Sequence, residues 1–307
     1  MLVTLNEVLQ DAHKNNYAVG AFNINNLEIL EAIMTAAEEE NSPVIISTSE
    51  GAIAYAGMEE LASLVHIKAE KADVPVVLHL DHGKDLDTID TVIESGMYTS
   101  VMYDGSALPY EKNVANTQNI VEKAHRNDIP VEAELGAIEG IEDFVSVEEK
   151  DAHLTNPKQA VEYVEKTNCD ALAVAVGTSH GAYKFEGESQ LDFDRLREIK
   201  EKVDMPLVLH GASGVPEDIK SLCMEYGCAI EQAKGVADED IAEAVSCGIN
   251  KINIDTDLRI AFDAAVRKFL KENPEVFDPR KILTPAKELM THVVKHKMNL
   301  FGCAGKA

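Results

Sequence analysis

Residues 76–85 read VVLHLDHGKD, a run of Val and Leu with strand character that ends in Asp81, His82 and Gly83. Burying an unpaired polar group costs roughly 2–7 kcal/mol, and a charge costs more. An acid and an imidazole closing an apolar strand therefore imply partners that satisfy them. Seven further segments share the composition: YAVGAFNI (17–24), PVIISTS (43–49), YTSVMYD (98–104), IPVEAELG (129–136), DALAVAVG (170–177), PLVLHGA (206–212) and INKINID (249–255). Between them the spacing is helical and carries caps. Thr4 with Glu7 reads as a capping box, and Asn26 precedes LEILEAIMTAAEEE, whose apolar residues fall three and four apart. Eight such strand–helix units predict an α/β fold, a (β/α)8 TIM barrel, over the alternative of a doubly wound sheet.

With no composition break or linker, residues 1–307 read as a single barrel domain. Helical patterns at 256–272 and 284–300 exceed what one closing helix needs, so 256–307 is expected to supply closing and extra helices. Two connections are long: AIEGIEDFVSVEEKDAHLTN (137–156), and a helix pair broken at Gly227 between the seventh and eighth strands. Loops of that length in a compact barrel are usually functional. The echo between PVVLHLDHG (75–83) and PLVLHGASG (206–214) reads as two barrel strands under similar demands, not as a solenoid repeat.

Composition narrows the function classes. Trp is absent, and 45% hydrophobic content builds a core of small aliphatic residues suited to helix-covered parallel strands. Twenty-eight basic against 54 acidic residues leave a net charge of −26, which argues against nucleic acid or anionic membranes as partners. An anionic substrate then requires a locally basic pocket. Five cysteines without a CxxC pair read as reduced thiols of a cytoplasmic protein, and no export signal or membrane anchor is expected.

The polar residues gather at the carboxyl ends of the strands: Asn23, Ser49 and Glu50, Asp81 and His82, Asp104 and Ser106, Glu134, His180, His210, and Asn253 to Thr256. In barrel enzymes that rim is the active-site face. Three histidines from three strand ends, His82, His180 and His210, can converge on one point, and three imidazoles with an open position suit catalytic zinc. Each alone would read as a hydrogen-bonded rim histidine; together, with Glu134 and Asp104 near, they read as a metal centre. His79, two residues before Asp81, reads as a barrel-core histidine with a polar neighbour. The remaining histidines sit in helical patterns or, for His153, a loop. GTSHGAYK (177–184), HGASG (210–214) and NIDTD (253–257) offer small residues and backbone N–H groups for a phosphate, with Lys184 and Arg259 as nearby cations.

These motifs resemble those of the class II, metal-dependent fructose-1,6-bisphosphate aldolases, in their longer-chain bacterial subgroup. The likeness runs from AVGAFNINN to KILTPAKELM and the terminal GKA, and rests on HLDHG, VEAELG, GTSHGAYK, PLVLHGASG and INKINIDTDLR in that order. The resemblance implies reversible cleavage of fructose 1,6-bisphosphate to dihydroxyacetone phosphate and glyceraldehyde 3-phosphate. It implies His82, His180 and His210 as ligands of a catalytic Zn2+ that acts as Lewis acid on the ketone, and Glu134 and Asp104 as ligands of a second or alternate divalent position. Asp81 is then the proton-transfer group at the fourth carbon, and Glu142, in the long loop beside Gly140, the group moving the proton at the third. Gly181, Gly211, Ala212, Ser213 and Asn253, Ile254, Asp255 and Thr256 correspond to the dihydroxyacetone phosphate site, with Lys184 on the phosphate and Asn23 as a further substrate-binding residue on the same rim. Ser49 corresponds to the glyceraldehyde 3-phosphate contact and Arg259 to the distal-phosphate cation, often contributed across a subunit interface. A monovalent cation, Na+ or K+, near Gly181 and Gly211 and assembly as a homodimer or homotetramer are implied as well. One departure is VMYDGSALPYEKN, where Tyr103 precedes Asp104 and Ala107 follows Ser106, in place of the Ile and His of many relatives. The rival readings are tagatose 1,6-bisphosphate as substrate and a sugar-phosphate-binding barrel without turnover.

Overall fold

The computed structural model describes residues 1–138, 153–179 and 191–307 in full, and the backbone alone for 140–142 and 145–147. Eight parallel strands close into a barrel: β1 (Val19–Asn23), β2 (Val44–Ser49), β3 (Val76–Gly83), β4 (Ser100–Tyr103), β5 (Val131–Leu135), β8 (Ala171–Val174), β9 (Leu207–Leu209) and β10 (Ile249–Ile254). Each falls on a segment predicted from composition, and β3 continues two residues further, through His82 and Gly83. Within the long connection after β5, β6 (Gly140–Glu142) and β7 (Val145–Val147) pair antiparallel, so that connection contains a hairpin. Every residue of the eight barrel strands is buried, as expected for parallel strands covered by helices.

The helices are α1 (Leu5–Asn15), α2 (Leu27–Glu39), α3 (Glu50–Ala56), α4 (Met58–Lys71), α5 (Leu86–Ser95), α6 (Tyr110–His125), α7 (Pro157–Thr167), α8 (Phe193–Lys202), α9 (Glu217–Glu225), α10 (Asp238–Ser246), α11 (Thr256–Glu272) and α12 (Pro279–Phe301). Their caps follow the sequence signals. Thr4 N and Oγ1 donate to Glu7 Oε2 at the start of α1, and Asn26 Oδ1 accepts from Ile29 N at the start of α2. The last helix begins at 279, not 284. Asp278 accepts from Arg280 N and Pro279 occupies the first turn, where its missing N–H costs nothing, while Pro285 lies inside the helix.

The surplus C-terminal helix is spent within the chain. α12 packs against α2 and α11 and buries Ala286, Met290, Val294, Met298 and Phe301 completely. Ala18 N donates to Phe301 O, fastening its end to the entry of β1. Among the described residues no helix is long and apolar enough to cross a membrane, and all five cysteines are free thiols.

Candidate active site

Successive side chains on a strand point to opposite faces, so Asp81 and His82 can share the barrel mouth only if β3 departs from regularity between them. It does. Leu80 pairs with Val101 and Gly83 with Tyr103, so three steps on β3 match two on β4. The bulge re-aims a side chain, and His82 carries the distortion with a left-handed φ of 48°. Gly83 permits it, because a Cβ there would stand 2.6 Å from Met102 O and 2.9 Å from Ile89 Cγ1.

His82 then reaches across the mouth to His210, which follows β9. His82 Nε2 and His210 Nδ1 lie 2.7 Å apart, with the rings nearly perpendicular. Each imidazole is backed by a carboxylate on its other nitrogen. His82 Nδ1 is 3.2 Å from Asp104 Oδ2, and His210 Nε2 is 2.8 Å from Glu132 Oε1. Glu134 Oε2 sits 3.7 Å from His210 Nδ1 and 3.9 Å from His82 Nδ1, and it is a buried oxygen without a hydrogen-bond partner among the described residues. Asp81, His82 and His210 form one group able to hold a metal, and His82, Asp104 and Glu134 another. Two facing imidazole nitrogens, an orphaned carboxylate oxygen and carboxylates behind both rings fit a divalent cation with mixed N and O ligands.

The electrostatics agree. Burial alone would lower the pKa of His82, but Asp81, then Asp104 and Glu134, outweigh it and push the imidazole up to about 10. Burial, reinforced by Asp104, drives Glu134 well above the usual carboxylate range. Asp104 is the opposite case: against its burial, His82, Lys84 and Ser106 hold it below that range. Ser106 donates to Asp104 through both its N–H and its hydroxyl, at 3.1 and 2.6 Å. Carboxylates thus crowd a buried pocket and favour a positive charge there.

Asp81 is held from two strands: Asn23 Nδ2 donates to Oδ2 at 2.9 Å and Asn253 Nδ2 to Oδ1 at 2.8 Å. Ser49 accepts from Ala52 N and caps α3. Gly211 adopts a φ of +61°, and a Cβ there would meet Ser179 O at 2.6 Å. Ala212 and Ser213 follow, both buried, and Asp257 fixes this loop by accepting from Gly214 N at 3.0 Å and Val215 N at 2.7 Å. Asn253 and Ile254 end β10, Asp255 precedes α11 and Thr256 opens it. Arg259 folds back on Asp255, with Nη2 2.7 Å from Oδ2. His180, Gly181, Lys184 and the side chain of Glu142 lie outside the described residues.

Three polar residues of this neighbourhood escape a reading of strand ends: Glu132, Lys251 and Lys84. Lys84 stands 3.6 Å from Asp104. Glu132 and Lys251 are fully buried and 2.9 Å apart. Each precedes a rim residue by two positions, Glu132 before Glu134 and Lys251 before Asn253, as His79 precedes Asp81. That parity marks an inward-facing polar residue within an apolar strand and was the signal available for both. His79 itself is buried and 2.9 Å from Ser100 Oγ, the core histidine expected.

The chain matches, over residues 3–306, the family described as "Fructose-bisphosphate aldolase class-II". It is 48% identical to fructose-bisphosphate aldolase of Helicobacter pylori strain J99 and 50% identical to that of Thermus caldophilus, each alignment covering all of both chains. Among solved structures, the YdjI aldolase of Escherichia coli K12 superposes with a TM-score of 0.80 at 35% identity, covering both chains fully. Fructose-bisphosphate aldolase of Campylobacter jejuni does so with a TM-score of 0.79 at 25% identity, covering 100% of this chain and 97% of that one.

Proposed function

Since the chain belongs to the class-II fructose-bisphosphate aldolase family of metal-dependent lyases, we propose how its rim residues divide the reversible cleavage of fructose 1,6-bisphosphate into dihydroxyacetone phosphate and glyceraldehyde 3-phosphate. The observation that carries the reading is the juxtaposition of Asp81, clasped by Asn23 and Asn253, with the facing pair His82 and His210. Asp81 accepts the proton of the hydroxyl on the fourth carbon as the bond between the third and fourth carbons breaks. The electron pair stays with the three-carbon unit as an enediolate, and the aldehyde is released. Glu142 returns a proton to the third carbon, completing dihydroxyacetone phosphate. His82, His210 and His180 hold the metal, for which we propose zinc, with Glu134 and Asp104 as a second or alternate divalent position; bound there it supplies Lewis-acid polarisation of the ketone oxygen. Asp104 also orients the ring of His82, on which it sits.

Gly181, Gly211 to Ser213 and Asn253 to Thr256 receive dihydroxyacetone phosphate, with Lys184 on its phosphate. A monovalent cation sits near Gly181 and Gly211. Ser49 meets glyceraldehyde 3-phosphate. Arg259 takes the distal phosphate, which requires it to leave its pairing with Asp255. We read residues 1–307 as one domain, cytoplasmic in keeping with its free thiols, and as a homodimer or homotetramer. Phe277, 90% exposed between α11 and α12, supports a partner surface better than the apolar face of α12, which is already covered.

Activity is expected to vanish on chelation and to return with zinc or cobalt, with kcat/KM higher for fructose than for tagatose 1,6-bisphosphate. Activity that survives thorough EDTA treatment, or a borohydride-trapped substrate adduct on a lysine, would sink the metal reading. A preference for the tagatose ester would reassign the substrate and leave the chemistry intact.

A further inference from the structure

We propose that Lys251 is a positioning residue whose ammonium sets the hydrogen-bond polarity on both sides of the site, through Glu132 to His210 and through Asn253 to Asp81. The inference rests on the roles given above to His210 and Asp81. Lys251 lies in the interior of β10 with no exposed surface, where barrels ordinarily place branched apolar side chains. Its Nζ is 2.9 Å from Glu132 Oε2 and 3.2 Å from Oε1, and it donates to Asn253 Oδ1 at 2.7 Å. Stability does not account for such a residue, because a well-packed apolar side chain generally serves as well as a buried ion pair.

Donor and acceptor chemistry gives the account. An ammonium can only donate and a carboxylate can only accept. Asn253 must therefore turn its oxygen to Lys251, which leaves its N–H group facing Asp81 Oδ1 at 2.8 Å. On the other side Glu132, paired with the ammonium, accepts from His210 Nε2 at 2.8 Å. With its proton on Nε2, the neutral ring presents the Nδ1 lone pair to the point where His82 also converges. One cation thus settles an amide orientation and an imidazole tautomer, each of which would otherwise have two choices. The three pairs His79/Asp81, Glu132/Glu134 and Lys251/Asn253 repeat the same two-residue step, so a polar layer underlies the layer that meets substrate.

The test is Lys251→Met in the full chain, read by zinc affinity in chelator competition and by kcat against KM. Zinc affinity is expected to fall ~10–100-fold, as for loss of other outer partners of metal ligands, and kcat to fall by more than KM rises. Zinc affinity reports the link alone, whereas kcat also reports Asp81. Weakened zinc with unchanged kcat would sustain the link through Glu132 and overturn the one through Asn253 to Asp81. Native zinc affinity in a folded variant would overturn the link. If the lone Glu132 carboxylate prevents folding, the charge-balanced Glu132→Gln/Lys251→Met chain takes its place with the same expectations. The unmodified chain gives an independent readout: with 15N-labelled lysine, the exchange-protected ammonium resonance that Lys251→Met removes, as distinct from that of the equally buried Lys297, should shift when zinc is added. A Lys251 resonance indifferent to zinc, or a Lys251 ammonium without protection, would overturn the proposal.

Discussion

His82 Nε2 and His210 Nδ1 meet at 2.7 Å from opposite walls of the barrel. In the closed order β1-β10-β9-β8-β5-β4-β3-β2, the strands that carry them stand four places apart, the largest separation a ring of eight allows. Two side chains from facing walls thus span the mouth, and both must be present for the centre to form. Removing either imidazole, by His82→Ala or His210→Ala, should weaken zinc binding by more than the ~10–100-fold typical of outer partners. Titration against a fluorescent chelator measures it, and a variant that keeps native affinity would remove that histidine from the centre.

Asp81→Asn keeps the size of the side chain but removes the base, and its single amide oxygen can accept from only one of Asn23 and Asn253. Zinc content should stay near native while kcat falls about 10²–10⁴-fold, the range for a positioned general base. Metal analysis beside steady-state kinetics separates the two effects. A kcat within a few-fold of native would show that the proton leaves by another route.

Glu142 lies in β6, on the long connection after β5. Glu142→Gln should leave zinc content and substrate binding nearly intact, yet slow kcat and the exchange of the dihydroxyacetone phosphate proton with solvent by ~10²-fold or more. Deuterium exchange followed by NMR reads that proton directly, and an unchanged exchange rate would return Glu142 to the surface.

Gly83→Ala tests the bulge. The added methyl would collide with Met102 O at 2.6 Å, a backbone atom that cannot step aside cheaply. A loss of about 1–3 kcal/mol is expected, together with lower zinc affinity because His82 is displaced. Denaturant unfolding with a metal titration checks both, and native values for the two would mean that β3 relaxes without moving His82.

On the flank, Glu31 of α2 joins Lys68 of α4 at 2.9 Å and Lys287 of α12 at 2.8 Å. Hydrogen bonds from Lys287 and Lys68 hold its carboxyl below the ordinary value of 4.5. A depressed folded-state pKa contributes stability above the unfolded value and loses it as pH falls through the folded one. Glu31→Gln should therefore lower the stability modestly near pH 7, by no more than about 1 kcal/mol for so accessible a cluster. The gap from native should close below pH 4.5, and calorimetry showing a gap independent of pH would refute the linkage.

The features legible in the chain are local and periodic. Eight apolar segments with helical spacing between them, capped at Thr4 and Asn26, specify a parallel barrel, because burial on both faces and short crossovers leave few other ways to cover such strands. A polar residue at the carboxyl end of a barrel strand must lie on the rim, so Asn23, Asp81, His210 and Asn253 were legible as one neighbourhood. Which residues touch one another follows from the assembled barrel. The bulge that turns His82 beside Asp81 depends on the register of β3 against β4 and on room beside Met102, neither of which lies within β3. Asp104 pairs with the ring of His82, Arg259 with Asp255, and Lys251 joins Glu132 to Asn253, contacts fixed by barrel closure. The start of α12 at Pro279 was hidden because Pro285 reads as a boundary, while the packing of α12 on α2 and α11 supports the helix through it. Periodicity states which face a side chain takes, but distances across a barrel are set by strand order, stagger and closure, which no segment carries alone.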